Sequence, residues 1–591
     1  MADTTVARFR ARSAATPDGV ALRLLASGGS PREETLTWGE WEVRVDQLAL
    51  ALLAEGLAPG ERVAVLAGNG PLWPIADLAI LSAGGVSVGA YPTSTPEQLR
   101  HTLTDSGARI AFVDTRERCE RLLEVRDQLP TLRSIVCEEE AGTGVETLEA
   151  WLAERAGQSA RSEALESRSA ALQPDDPAVI VYTSGSTGIA KGAVLSHGYL
   201  VASADSIAAT LGLVEGDSSL SLLPYAHASE RIFGLHTRIT AGVTAGIVMD
   251  PRLVWEAAAG FRPTVLGGIP RMFEKAAERL EAARQQLGGP ERERWDRAIE
   301  LGLRRSRLRQ AGEAVPPRHE EEWREASARV FSAVDDIFGN RLRVASSGGA
   351  PLPRHAAELL DAAGVTVLGA YGLTEHLCVA FNRPDRYTFD AAGPPMPGTE
   401  IRIAEDGEIL VRRCPLTFSG YLGRPEETAA TFTEDGAWLR TGDLGEVDER
   451  GFLRVTGRKK ELIALSTGKK VAPAPIEEKL RRHPRIANAL VCGEGRKHLS
   501  ALIFLRGDSD GACEPDGPVC RNPSALAEIE AAVAEANRGM PRYEQIARFV
   551  AINREPSEEM GELTDTMKIR RELITDRFRE RLDALYREDR P

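Results

Sequence analysis

The run RVAVLAGNGPLWPIADLAILSAGGVSVGAYPTSTPEQLRHTLTDSGARIAFVD, Arg62 to Asp114, decides the fold class. RVAVLAG is a short apolar run of the kind that forms a buried strand. PLWPIADLAILSAG then reads as a helix, VSVGAYP as extended chain, TPEQLRHTLTDSG as a second helix and ARIAFVD as a third strand. Thr95-Pro96-Glu97 supplies an N-cap, a proline at the first helical position and an acidic first turn. Strands alternating with helices predict α/β layering.

The pattern extends outward from this run. A polar stretch, Arg155 to Gln173, leads into a second α/β section, and a charged helical segment spans Phe273 to Phe338. After about Gly393 the chain changes character. TEIRIAEDGEILVRR and GAWLRTGDLGEVDERGFLRVTGR are alternating runs separated by Asp-Gly and Arg-Gly turns, which predict β-hairpins. Beyond Lys460 the runs KELIAL, IANALVCG and LSALIFLRG read as strands. APAPIEEKLRRHP, PSALAEIEAAVAEANRGM and DTMKIRRELITDRFRERLDALYRED read as helices. The expected architecture is a large N-terminal domain, 1–459, of layered α/β subdomains plus a small β-rich subdomain. It carries a helical insert at about 274–338, and a smaller α+β domain follows at 460–591.

A length of 591 residues suggests about four folding units. The 42% hydrophobic and 27% charged content is that of a globular chain, not a disordered or collagen-like one. Lys+Arg 73 against Asp+Glu 87 gives a net charge of −14, which repels nucleic-acid backbones, so no nucleic-acid partner is expected. Seven scattered cysteines make no disulfide framework. Cys513 and Cys520 are a close pair but lack a second pair for zinc. The N-terminus has no apolar signal core. The longest charge-free stretch, Leu78 to Pro96, is too polar and broken to span a membrane. A cytoplasmic location is expected. Arg304, Arg305, Arg307 and Arg309 form a basic spot that suggests peripheral membrane contact, weighed against a solvated, ion-paired helix face.

The densest chemical signal is IVYTSGSTGIAKGAVLSH, Ile180 to His197. A β-branched strand enters a loop of hydroxyls and glycines with one lysine, ahead of a helical pattern. Glycines allow close backbone approach, and successive N–H groups with Ser/Thr hydroxyls form an anion site. The spacing is not that of a Walker A loop.

With YGLTE (Tyr371–Glu375), TGDLG (Thr441–Gly445), GRKKELI (Gly457–Ile463) and LTDTMKIRR (Leu563–Arg571), this loop resembles the adenylate-forming superfamily of acyl-CoA synthetases, adenylation domains and luciferases. GAYPTSTPEQLRHTLTDSGAR, LLPYAHASERI, GIPRMFEKA, RLRVASSGGAPL and KELIALSTGKKVAPAPIE resemble its long-chain fatty acyl-CoA synthetase branch. The resemblance implies an ATP-dependent fatty acid–CoA ligase. It would form acyl-AMP and pyrophosphate, then acyl-CoA and AMP, on medium or long chains, with Mg²⁺ as cofactor. It also implies an N-terminal AMP-binding domain and a C-terminal domain of the same enzymes.

Carried over residue by residue, the resemblance places the β- and γ-phosphates on Thr183, Ser184, Gly185, Ser186, Thr187, Gly188 and Lys191. Thr374 would meet the α-phosphate and Glu375 would hold Mg²⁺. Tyr371 and Gly372 would lie on adenine, with Gly349 and Ala350 along its edge. Asp443 would bind the ribose hydroxyls, assisted by Arg458. Lys568 would bridge the carboxylate and α-phosphate, and Lys460 would be the hinge. His227 would stand where carboxylate and thiol meet. Gly369 and Ala370 would leave space for an acyl chain. Arg570 and Arg571 are read as a solvated helix face.

The chain departs from the family pattern at Ala190, often proline, and in LSTGKKV, where Thr467 and Lys470 replace a glycine and an asparagine and Gly468 remains to line the thiol path. An acyl carrier protein is therefore the alternative acceptor. A catalytically silent nucleotide- or acyl-binding homologue is the alternative from another class. Oligomeric state and chain length leave no mark in the sequence.

Overall fold

The alternation from Arg62 onward forms part of an eight-stranded sheet in the computed structural model, which describes residues 2–25, 34–155, 160–184, 189–328, 330–506, 519–557, 559–564 and 568–587. Its order is Gly420–Tyr421, Ala190–Ser196, Pro177–Ser184, Val86–Ala90, Arg62–Leu66, Ile110–Val113, Ser134–Cys137, Glu146–Thr147. Arg62–Leu66 pairs in parallel with Val86–Ala90 and with Ile110–Val113. Parallel neighbours require crossovers, which the helices Leu72–Ser82 and Pro96–Ser106 supply. Thr95 caps the second helix as its sequence demands. Its hydroxyl accepts from the Gln98 N–H, the Gln98 side chain accepts from the Thr95 N–H, and Gly107 ends the helix at φ +62°. The helix Leu72–Ser82 is buried along nearly its whole length, so this apolar segment is core. Among the described residues no helix is long and apolar enough to cross a membrane.

A second eight-stranded sheet orders His376–Phe381, Val367–Leu373, Val344–Ser347, Val265–Gly268, Ser218–Ser221, Thr244–Val248, Val20–Leu25 and Glu34–Thr37. The helical segment comprises Pro270–Gln286, Gly289–Ala311, Pro317–Ser327 and Ser332–Phe338. Gly289–Ala311 packs closely on Arg354–Ala362, because a Cβ at Gly302 would stand 2.1 Å from the Ala362 carbonyl oxygen. Two of the four arginines of the basic spot on this helix are engaged, while Arg304 and Arg307 are exposed. Arg305 pairs with Glu320 at 2.8 Å over the Trp323 ring, and Arg309 covers Tyr387.

The hairpin signals after Gly393 form a four-stranded antiparallel sheet, Ile401–Ile403, Glu408–Arg412, Trp438–Val447 and Leu453–Arg458. A tight turn, Lys459–Glu461, leads into the smaller α+β unit. There Ile486–Cys492, Leu499–Leu505 and Ile546–Ile552 make one sheet, with Ala474–Arg481, Pro523–Asn537, Arg571–Arg577 and Arg579–Arg587 as its helices.

Three local expectations change. KELIAL contributes only a two-residue strand, Ile463–Ala464, paired with Lys470–Val471. The segment after the phosphate loop is a strand antiparallel to Pro177–Ser184, with Thr183 opposite Lys191, and helix begins only at His197. The C-terminal helix starts at Arg571. That residue is no solvated charge: it grips both Glu477 oxygens at 2.7 and 2.9 Å and the Val491 carbonyl, tying helix to sheet.

Candidate active site

A cleft of about 2810 Å³ opens where the two large sheets, the four-stranded sheet and the C-terminal unit meet. Thr183, Lys191, His227, Gly349, Ala350, Tyr371, Gly372, Thr374, Glu375, Asp443, Arg458, Lys460 and Lys568 all line it. Gly185, Ser186, Thr187 and Gly188 lie outside the described residues, as does Cys513. Ser184 ends its strand at the edge of that gap, opposite Ala190. Gly468 is not brought to the cleft. It sits at φ +80° in the exposed turn between Ile463–Ala464 and Lys470–Val471, whereas Lys568 of the same unit lines the cleft.

Tyr371 and Asp443 form the centre of one wall. The Tyr371 hydroxyl donates to Asp443 Oδ2 at 2.7 Å, and Arg458 approaches Oδ1 at 3.1 Å from the paired strand position. Burial raises the Asp443 carboxyl above the usual range, opposed by Arg458 and by the Tyr371 hydrogen bond. Gly372 is fixed by the irregular pairing of the YGLTE strand with His376–Phe381: a Cβ there would fall 1.5 Å from the Leu377 carbonyl oxygen. No side chain fits.

Thr374 and Glu375 are held by residues that sequence reasoning missed. The buried Tyr199 hydroxyl donates to the Thr374 carbonyl at 3.0 Å and accepts from the Leu377 N–H at 3.0 Å. Tyr421 donates to the Glu375 carboxylate. Lys191 pairs with Glu427 and stands 5.5 Å from the Tyr421 ring centre. Nothing local marks these partners; the pairing of Gly420–Tyr421 with the strand carrying Lys191 brings Tyr421 to the site, and Tyr199 reaches it from the helix His197–Leu211.

Lys568 enters from the C-terminal side. It lies before the helix on a small loop, where the Thr564 N–H donates to its carbonyl at 2.8 Å and its own N–H donates to Thr564 Oγ1 at 3.1 Å. A Cβ built on Gly349, at φ +86°, would stand 3.8 Å from Lys568 Cε. Desolvation by the surrounding cleft lowers the ammonium below the usual lysine value, although the residue remains solvent-exposed. Arg458 adds to that, and Asp443 and Glu461 oppose it. His227 is pushed down to about 4 by burial and by Lys568. Its Nδ1 accepts from the Ser229 N–H at 3.1 Å, so the neutral ring carries its proton on Nε2.

Apolar side chains line part of the cleft: Ile207, Leu211, Phe233, Val243, Val265 and Leu377, with Gly369 and Ala370 also in the lining. Ile207, Leu211, Val265 and Leu377 belong to one buried apolar cluster, against which Phe233 and Ala370 pack. One buried charge pair also lines the cleft. Arg238 donates to Glu230 at 2.8 Å, to Ser219 Oγ at 2.7 Å and to the Leu220 carbonyl at 2.6 Å. Glu230 opens and Arg238 follows a π-helical stretch, Glu230–His236, the kind of wide turn that recurs at functional sites.

Comparison with known proteins shows the family. The family model for the AMP-binding enzyme matches residues 9–422, and that for the AMP-binding enzyme C-terminal domain matches 460–590. The long-chain-fatty-acid–CoA ligase FadD15 of Mycobacterium bovis is 35% identical, over 94% of this chain and 92% of its own length. The long-chain-fatty-acid–CoA ligase heimdall of Drosophila melanogaster is 28% identical, over 94% and 90%. The crystal structure of the adenylation domain of a carboxylate reductase from Mycobacterium chelonae shares the fold. Its TM-score is 0.74 at 23% identity, covering 99% of this chain and 91% of that one. The chain belongs to the AMP-binding enzyme family.

Proposed function

We propose that the chain joins a fatty acid to coenzyme A at the expense of ATP, in two steps at one cleft. The observation that carries this is that one cleft is lined both by apolar side chains and by the charged groups Lys191, Glu375, Asp443, Arg458 and Lys568, with His227 and Gly369 in the same lining. In the first step a carboxylate oxygen attacks the α-phosphorus and the bond to pyrophosphate breaks. In the second a thiol sulfur attacks the acyl carbon, the bond to AMP breaks, and the thiol proton goes to solvent.

The residues divide the work by charge. Lys568 brings a compact ammonium to the meeting point of two anions, where charge builds on the phosphate. Lys191, freed from Glu427, reaches the polyphosphate together with Thr183 and the loop 184–188. Asp443 accepts from the ribose hydroxyls, Tyr371 covers the base, and Gly349 and Ala350 edge it. Glu375 is a cleft carboxylate of the kind a hard cation takes when phosphates and water supply its other ligands, so it would hold Mg²⁺. When bound, the ion neutralises phosphate charge. His227, neutral at pH 7, is no base for a carboxylate that is already ionised; it orients the reactants through Nε2–H. The apolar part of the lining holds the alkyl chain, gaining about 0.8 kcal/mol per buried CH₂. Lys460, in the turn joining the two units, is the hinge about which Lys568 withdraws to admit the thiol.

The reading is tested by mass spectrometry of the purified protein with Mg-ATP and a ladder of fatty acids, with and without coenzyme A. Acyl-CoA is expected, and its yield ranks the chains. Acyl-AMP that persists despite coenzyme A would make a carrier protein the acceptor, and absence of both products would overturn the ligase assignment.

A further inference from the structure

The C-terminal unit is clasped to the helix Pro270–Gln286 by two ion pairs. Arg271 Nη2 lies 2.7 Å from Glu555 Oε2, and Arg506 pairs with Glu278. Arg271 and Glu278 are seven residues apart, two turns on one helix face, separated by about 10 Å along the axis. Arg506 follows the strand Leu499–Leu505 and Glu555 follows Ile546–Ile552. These strands are parallel neighbours, so both charges leave the same end of the sheet. The signs are crossed: the helix offers plus then minus, and the sheet end answers with minus and plus. A displaced docking would set like charges together, so the pattern specifies one orientation.

That orientation is the one that delivers Lys568. Glu562, fully buried, accepts from Arg554 at 2.6 and 2.7 Å, from Arg577, and from the Ser557 N–H at 3.1 Å. Its carbonyl accepts from the Arg570 N–H at 2.8 Å. Glu555 and Lys568 therefore flank one buried carboxylate and move as a body. Holding Glu555 against the helix holds Lys568 in the cleft. The four clasping side chains are 23–46% exposed, so each pair biases the docking equilibrium by only roughly two- to fivefold. This clasp can be released. Arg271 also lies 3.5 Å from Glu274 and from Glu278, so it keeps partners on its own helix when Glu555 leaves.

We propose that Arg271, Glu278, Arg506 and Glu555 are positioning residues for the first half-reaction alone: they hold the C-terminal unit docked while Lys568 acts and are separated before thiol attack. This rests on the two-step ligase reading above. The test uses the full chain as wild type, Arg506→Glu, Arg506→Lys and the double variant Arg506→Glu/Glu278→Lys. ATP–pyrophosphate exchange with a fatty acid reads the first half. Conversion of synthetic acyl-AMP and coenzyme A reads the second.

Arg506→Glu is expected to slow exchange about fivefold or more while the second half stays within twofold of wild type. Arg506→Lys and the double variant are expected to recover most of the loss. Equal loss in both halves, or a double variant no better than Arg506→Glu, overturns the clasp. Small-angle X-ray scattering reads docking without activity. Arg506→Glu is expected to shift the scattering curve, and an unchanged curve overturns the proposal. If wild type gives no exchange with any carboxylate, the ligase reading falls, and scattering alone decides the clasp.

Discussion

The Tyr371 hydroxyl reaches Asp443 across 2.7 Å, linking the second large sheet to the four-stranded sheet through side chains 72 positions apart in the chain. The same carboxylate meets Arg458 on its other oxygen. A charged hydrogen bond of this kind is worth about 1.5–3 kcal/mol, or roughly tenfold to a hundredfold in binding. Asp443→Ala is expected to raise KM for ATP by about a hundredfold, and Tyr371→Phe by about tenfold, the double variant falling short of the product. Steady-state kinetics in ATP checks this. An unchanged KM for Asp443→Ala would remove the ribose role.

Lys568→Ala is expected to cut ATP–pyrophosphate exchange by about a hundredfold or more, as loss of a charge aimed at a developing anion does. Thioester formation from supplied acyl-AMP should stay within about twofold, since Lys568 has then finished its work. Lys460→Pro should reverse the pattern by stiffening the turn Lys459–Glu461. Parallel loss of both half-reactions in either variant would contradict the division of labour.

The two glycines beside the nucleotide wall should behave differently. Gly372→Ala places a methyl carbon 1.5 Å from a backbone oxygen, so the strand pair must separate. Destabilisation of more than about 3 kcal/mol is expected, visible as a large fall in Tm. At Gly349 the nearest atom to an added Cβ is Lys568 Cε at 3.8 Å, and the cost is that of φ +86° alone, about 1 kcal/mol. Similar Tm values for the two alanine variants would show that the close approach at Gly372 is not maintained in solution.

Acid stability follows from three buried histidines. His197, His236 and His376 are each pushed down to about 4, chiefly by burial. Unfolded histidine titrates near 6.5, so between about pH 6.5 and 4 the unfolded chain binds protons that the folded chain refuses. Stability from these groups is therefore complete above pH 6.5 and declines as pH falls through that window. Each accounts for about 2 kcal/mol on going from pH 7 to 5. His376 contacts Thr399 at 3.1 Å and Thr417 at 3.4 Å, bonds that glutamine can imitate. The Tm drop from pH 7 to 5 should be smaller in His376→Gln than in wild type; an equal drop would mean that His376 is not held neutral.

Much of this architecture was legible in local pattern. The strands at Arg62, Val86 and Ile110 announce themselves as apolar runs, Thr95 marks its helix, and the Asp-Gly and Arg-Gly turns beyond Gly393 mark the four-stranded sheet. The candidate site was legible as a location where a motif carries the residue: Tyr371, Asp443 and Lys568, from three separate motifs, line one cleft. What escaped was non-local. Tyr199 meets Thr374 across 175 positions, and Tyr421 meets Glu375 only because a two-residue strand pairs at a sheet edge. Lys568 and Arg571 looked like one charged helix because helix periodicity does not report where the first turn begins. Register and loop closure decide that.

The Tyr199 hydroxyl, which gives to Thr374 and takes from Leu377, makes three positions answer to one oxygen. Phenylalanine at 199 would strand a carbonyl and an N–H at once, and neither neighbour can repair the loss alone because the groups involved are main chain. Across descendants of this gene, substitutions at 199 should therefore arrive only with a reshaped strand pair around 374–377. The pair would be inherited as a unit, and drift at the one would be a record of drift at the other.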